Sequence, residues 1–158
     1  MIRNIHIGEI KLSFDDVEKL SIELAKKVQK EFIPDIVAGI SRAGILPGLL
    51  IANYFDADFF PIIAKYPNGF DGEPNIFLPD IKIADRVKIL IVDDITISGK
   101  TFAAVKSKIG AGKDIEMKTA SLFRHPKYFN PDFYAQVTAA KLIFPWDVIT
   151  SELHNRTT

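Results

Sequence analysis

Residues 89–101 read Ile89-Leu90-Ile91-Val92-Asp93-Asp94-Ile95-Thr96-Ile97-Ser98-Gly99-Lys100-Thr101. Four consecutive apolar residues, Ile89 to Val92, predict a strand buried on both faces. Two carboxylates follow where such a strand leaves the core. Behind them come the hydroxyls of Thr96, Ser98 and Thr101, one glycine, and a helix-forming run. A strand, a hydroxyl-rich turn and a helix start make an anion site, because free backbone N–H groups and the positive end of the helix dipole converge there. Adjacent carboxylates beside an anion site make sense when sugar hydroxyls or Mg²⁺ lie between them; otherwise they are solvated residues at a strand end. Gly99-Lys100-Thr101 also looks like the end of a Walker A loop. That loop needs a glycine five residues before Gly99, where this chain has Asp94, and a carboxylate in the cradle opposes a polyphosphate.

Outward from this stretch, the order of elements suggests an α/β fold. Ile5 to Leu12 alternate loosely, as a short edge strand would. Ser13 and Asp16 form a capping-box pattern, and Val17, Leu20, Leu24, Ala25, Val28 and Phe32 recur at helical spacing, predicting a helix over 14–32 that Pro34 ends. Asp35 to Ile40 reads as a buried strand. Ser41-Arg42-Ala43-Gly44 then leads into a second helix over 45–54. This second strand–loop–helix junction is either an ordinary turn with a solvated arginine or a second anion loop gripped by Arg42. Asp58 to Ala64 predicts a third strand, with Pro61 placing it at an edge or bulge. Residues 65–86 contain Pro67, Asn68, Gly69, Gly72, Pro74 and Pro79 and lack periodicity, which suggests a lid. Strands are predicted over 87–92, 115–123 and 140–144, and a helix over 101–109 ending at Gly110-Ala111-Gly112. Three strand–loop–helix units in series predict right-handed crossovers and a mostly parallel sheet. Arg42, Asp93, Asp94, Ser98, His125 and Lys127 would then all sit at carboxyl ends of strands.

Composition bounds the function. The 158 residues suit one domain, with 47% hydrophobic and 25% charged residues. Lys+Arg and Asp+Glu are both 20, so no basic surplus draws the chain to nucleic acid or acidic lipid. There is no cysteine, in keeping with the cytoplasm. No apolar run has membrane-spanning length.

The hydrophobic strand, Asp93-Asp94, three residues and Ser98-Gly99-Lys100-Thr101 together resemble the PRPP-binding motif of the type I phosphoribosyltransferases (PRPP, 5-phosphoribosyl-1-pyrophosphate). The likeness extends from Asp35 to Asp147 and is nearest to the xanthine/guanine/hypoxanthine branch. It implies a Rossmann-like parallel sheet with a small hood, a Mg²⁺ cofactor, PRPP and a nitrogenous base as substrates, and a homodimer. Ile95 to Thr101 would bind the 5′-phosphate. Asp93 and Asp94 would hold the ribose hydroxyls or Mg²⁺, directly or through water, and with Arg42 would carry catalysis. Ser41, Arg42, Ala43, Gly44 and Lys65 would take the pyrophosphate, with the Ser41–Arg42 peptide often cis in this family. Residues 65–86 would be the mobile catalytic loop, with Lys65-Tyr66 where the family often has Ser-Tyr. Residues 124–150 would be the hood, with His125, Lys127, Phe144, Trp146 and Asp147 at the base.

Three positions depart from the purine pattern. Ile97 stands where the 6-oxopurine enzymes carry an aspartate near purine N7. His125 stands at the base-reading lysine, and Lys141 at the usual stacking aromatic. A non-catalytic PRPP or nucleotide sensor and a transferase for another acceptor therefore stay open beside the purine reading.

Overall fold

The computed structural model describes residues 8–149. Its centre is a six-stranded sheet in the order β4-β3-β2-β5-β6-β7. The strands are β2 (Ile36–Ser41), β3 (Asp58–Lys65), β4 (Asn75–Phe77), β5 (Lys88–Thr96), β6 (Glu116–Arg124) and β7 (Phe133–Val137). All neighbouring pairs are parallel except β3 with β4. A separate two-stranded sheet pairs β1 (Glu9–Lys11) in parallel with β8 (Lys141–Ile143), tying the start of the described chain to its end.

Helices α1 (Phe14–Gln29) and α2 (Ile45–Phe55) share one apolar cluster with the sheet, in which Val17, Leu24, Val28 and Ile51 meet Val37, Leu90, Val92 and Leu122. Helix α3 (Lys100–Gly110) belongs to a second cluster, where Phe102, Val105 and Ile109 pack on Ala38, Ile62, Ile89 and Ile91. Consecutive β5 residues thus feed both clusters. Ile89, Leu90, Ile91 and Val92 are all fully buried, as an apolar run without alternation requires.

Several boundaries differ from the sequence reading. β5 runs on through the acidic pair to Thr96, because β6 continues to pair with it at Asp93–Ser121, Ile95–Phe123 and Thr96–Arg124. Helix α1 ends at Gln29, three residues before Phe32, although Phe32 still packs in the core. Between β6 and residue 140, where the sequence reading placed no element, a loop containing Pro126 and Pro131 leads directly to strand β7. The stretch 65–86 contains strand β4, whose residues 75–77 pair with residues 63–65 of β3 and whose Ile76 packs on the second cluster. Pro61 meets the expectation of an edge: β3 pairs with β2 there, but β4 does not reach it. Of the predicted first strand, residues 5–7 lie outside the described residues, and only Glu9–Lys11 pairs.

This topology has a switch point. From β2 the chain moves through α2 to β3 on one side; from β5 it moves through α3 to β6 on the other. β2 and β5 pair only as far as Gly39 and Val92 and then part. In an open α/β sheet such a crevice, beyond the carboxyl ends of the strands, is where ligands bind.

Candidate active site at the parting of two strands

The crevice is lined by the ends of β2 and β5. On the β2 side the chain turns at Ser41-Arg42-Ala43-Gly44, and the Ser41–Arg42 peptide is cis. Gly44 is pressed against β5: a Cβ there would lie 2.6 Å from the Val92 carbonyl oxygen and 2.9 Å from the Asp93 Cα. Only glycine permits this approach. Arg42 is exposed at the rim and makes no ion pair with the described residues.

On the β5 side, Asp94 is 9% exposed and Asp93 is half-buried. Each carboxylate accepts a single backbone N–H from the next residue, Asp94 N to Asp93 Oδ1 at 2.9 Å and Ile95 N to Asp94 Oδ1 at 2.7 Å. No ion pair among the described residues neutralises either. Burial, and then the charge of Asp94, push the Asp93 carboxyl well above the ordinary range; burial also raises Asp94, with Asp147 adding its charge from the hood. Uncompensated carboxylates at a crevice mouth are costly to hold ionised, and they fit a cation or sugar hydroxyls. No cluster of three or more His, Asp or Glu side chains suited to a metal exists among the described residues. A Mg²⁺ ion here would therefore depend on ligand oxygens in addition to Asp93 and Asp94.

The helix termini complete the picture. Helix α1, away from the crevice, is fully capped: Ser13 Oγ accepts from Asp16 N, and Asp16 Oδ2 accepts from Ser13 N. Helices α2 and α3 both start at the crevice, with Gly44 and Gly99 as caps, no side-chain cap and no acid in the first turn. At α2, Ile45 N donates to Arg42 O at 3.2 Å and Pro47 has no N–H, which leaves Leu46 N; at α3 the N–H groups of Thr101 and Phe102 are left without a partner among the described residues. Gly99 takes a left-handed conformation, φ +77°, and Ser98 Oγ lies 3.4 Å from Lys100 N. Thr96 is buried, whereas Ile97 and Ser98 are exposed.

Two segments brace this turn. From the β6 side, His125 N donates to Thr96 O at 3.1 Å and Phe129 N to Ile97 O at 3.0 Å. The Phe129 ring covers Gly99 so closely that a Cβ there would come within 2.4 Å of it. From the β3 side, the Tyr66 hydroxyl hydrogen-bonds the Thr101 hydroxyl, and Lys100 Nζ donates to Asp71 O at 2.9 Å. Neither Phe129 nor Asp71 was singled out in the sequence. Phe129 belongs to no periodic run, and a backbone carbonyl carries no sequence signature. Lys65 stands at the end of β3 with its ammonium 5.7 Å from the centre of the Phe77 ring.

In the hood, His125 and Lys127 follow β6. Lys127 N donates to His125 Nδ1 at 3.2 Å, and the imidazole lies against Tyr128 with ring centres 4.6 Å apart. With Nδ1 accepting this bond, a neutral His125 carries its hydrogen on Nε2, which is then a donor. Arg124 donates to the His125 carbonyl at 3.3 Å and stacks on Tyr134. Phe144 is a core residue, 4% exposed, with its ring stacked on Trp146 at 4.8 Å. Its side chain is thus packing, and Trp146, half-buried, packs against the same cluster. Asp147 accepts from Phe144 N at 2.9 Å, closing the first turn of a helix that begins at Pro145.

Two helix starts without side-chain caps, a turn bearing arginine and an acidic pair at the switch point of a parallel sheet suit a phosphorylated ligand. The chain belongs to the phosphoribosyltransferase family: residues 6–154 match the phosphoribosyl transferase domain. Among solved structures it is similar to a purine phosphoribosyltransferase from Pyrococcus horikoshii, with 28% identity and a TM-score of 0.78 over 88% of this chain and 94% of that one. It also shares the fold of the xanthine-guanine-hypoxanthine phosphoribosyltransferase of Helicobacter pylori, with 24% identity and a TM-score of 0.79 over 94% and 99% of the two chains. An adenine phosphoribosyltransferase from Rhodothermus marinus is a more distant match, with 21% identity and a TM-score of 0.60 over 75% and 78%. A sequence comparison with curated proteins gives no match. No helix among the described residues is long and apolar enough to cross a membrane.

Proposed function

We propose that the protein transfers the 5-phosphoribosyl group of PRPP to a nitrogen of a purine bearing an exocyclic oxygen, releasing pyrophosphate. The observation that carries this reading is the pair of half-buried Asp93 and buried Asp94, without an ion pair among the described residues and flanked by two helix starts that lack side-chain caps. One start, at Gly99-Lys100-Thr101, suits the 5′-phosphate. The other, behind Ser41-Arg42-Ala43-Gly44, suits the diphosphate. The two carboxylates between them suit the ribose hydroxyls.

In this reaction the C1′–oxygen bond to pyrophosphate breaks and a C1′–nitrogen bond forms. The ribose gains cationic character on the way, and negative charge collects on the leaving group. Arg42 and the backbone amides of its turn would hold that leaving group, while Asp93 and Asp94 fix the ring that develops positive charge. Mg²⁺, when bound with PRPP, would neutralise diphosphate charge, with Asp93 and Asp94 as its protein ligands directly or through water. Ile97 cannot accept the proton of the acceptor nitrogen, so that proton leaves to pyrophosphate or solvent. His125 Nε2 and the Lys127 ammonium are both donors, and donors recognise an exocyclic oxygen rather than an amino group. A cytoplasmic homodimer is expected by analogy with the family.

The test is pyrophosphate release from PRPP and Mg²⁺ across a panel of bases. Release with hypoxanthine, guanine or xanthine and not with adenine supports the reading. PRPP binding without release for any base would instead make the chain a PRPP-binding regulatory protein. Release with a non-purine base alone would move the acceptor elsewhere.

A further inference from the structure

The segment between β3 and β4 folds into two consecutive turns, Gly69 N to Tyr66 O at 3.3 Å and Gly72 N to Gly69 O at 3.0 Å. Within it the rings of Tyr66 and Phe70 meet with centres 4.9 Å apart, yet Phe70 is 84% exposed. The segment has little core of its own. Its two side-chain tethers both run to the first turn of α3: the Tyr66 hydroxyl to that of Thr101, and Asp71 O to Lys100 Nζ. Those two α3 residues belong to the phosphate socket of the proposed function.

The hydrogen inventory makes this pairing directional. Tyr66 and Thr101 have one hydroxyl hydrogen each, and either can donate in the empty socket. A phosphate dianion only accepts. Once Thr101 gives its hydrogen to a phosphate oxygen, its own oxygen can bond Tyr66 only as an acceptor. The chain then reads Tyr66 to Thr101 to phosphate, each bond polarising the next. Lys100, already held on Asp71 O, adds its charge on the same side.

We propose that Tyr66 is a positioning residue that couples the lid to the phosphate socket: an occupied socket fixes the Tyr66–Thr101 bond and holds residues 66–72 down on α3. Binding at the phosphate end therefore orders the lid before any base arrives. The inference rests on the reading of residues 96–101 as a phosphate site. It goes beyond that reading by assigning Tyr66 and a direction of coupling.

Ribose 5-phosphate is the probe, because it carries the 5′-phosphate without the diphosphate. Its affinity is measured by calorimetry for the wild type, Tyr66→Phe, Thr101→Val and the double variant. In parallel, chymotrypsin cleavage after the exposed Phe70 reports lid order. The wild type should bind the probe and become about tenfold more resistant to cleavage. Tyr66→Phe should bind it about fivefold more weakly, the loss of one charge-assisted hydrogen-bond chain, and gain no protection. In the Thr101→Val background, Tyr66→Phe should cost nothing further, a non-additivity that loss of loop packing would not produce. Equal affinity and equal protection in Tyr66→Phe would overturn the coupling while leaving the phosphate site standing. A further loss in the Thr101→Val background would overturn the route through Thr101. No binding of ribose 5-phosphate to the wild type would overturn both the coupling and the phosphate site.

Discussion

The mouth of β5 and the hood after β6 are built by different means. At the mouth, the ligand-facing groups are mostly backbone: uncapped N–H groups of α2 and α3, a cis turn and two glycines at points of contact, with the Asp93–Asp94 pair as the main side-chain contribution. In the hood, the candidate groups are side chains: His125 and Lys127 after β6, and half-buried Trp146 in the helix after β8. Backbone sockets are fixed by the fold and can hold only what suits their geometry, here an anion. Side chains can be exchanged without disturbing the sheet. On the proposed function, the two regions carry different amounts of specificity: common substrate at the mouth, particular base in the hood.

The sharpest way to break this division is at the acidic pair. Asp93→Asn should lower kcat/KM by at least ~100-fold, about 2.7 kcal/mol of transition-state stabilisation, whatever the base. The fold should not suffer. A carboxyl raised by burial contributes stability that is fully present below its unfolded value, 3.8, and is lost as pH rises through its raised native value. Above that native value the contribution is gone, so there removing the charge should raise Tm, by roughly 2–4 °C for each ~1 kcal/mol in a chain of this size. The same shift places the acid limb of the activity profile above the ordinary carboxylate range, since the pair must be ionised to act. A thermal melt and a pH–rate profile of wild type and variant check both statements.

Next in size is Gly99→Ala. Its φ of +77° and the Phe129 ring 2.4 Å from a Cβ make the substitution both strained and crowded. A loss of about 2–3 kcal/mol in stability is expected, together with weaker PRPP binding, because the socket itself must shift. Denaturant unfolding and calorimetry measure the two effects.

His125→Ala sharpens the contrast from the other side. It should raise KM for the base about tenfold, the worth of one lost hydrogen bond in a site, while the affinity for PRPP stays as it was. Equal losses for both substrates would blur the division between mouth and hood. The smallest effect belongs to Asp147→Ala, which removes the carboxylate that accepts from Phe144 N. About 1 kcal/mol of stability should be lost, as for a helix cap, with little change in PRPP binding.

The sequence made the mouth legible because its signals are local. Ile89 to Val92 could only be a doubly buried strand, and Asp93 to Thr101 follow it without interruption. Ser13 and Asp16 likewise announced the start of α1, and the capping box is present with both bonds. What escaped was non-local. β7 is a five-residue edge strand recognisable only by its pairing with β6, and β4 is three residues that exist as strand through β3 alone. β1 and β8 meet across 130 residues of chain, so neither carries a sign of the other. Phe129 on Gly99 and Tyr66 on Thr101 are contacts of loop residues with the start of α3, for which no periodicity exists. Phe144 carried the hydrophobic signal of its segment, but its ring turned inward to Phe123 and Trp146.

The most direct measurement is calorimetric titration of PRPP with Mg²⁺ into the wild type and into the Asp93→Asn/Asp94→Asn double variant. Saturable binding at one site per chain in the wild type, lost or greatly weakened in the variant, is the predicted result. A wild type that takes up no PRPP, or a double variant that binds it undiminished, would contradict the assignment of this crevice to a phosphorylated pentose.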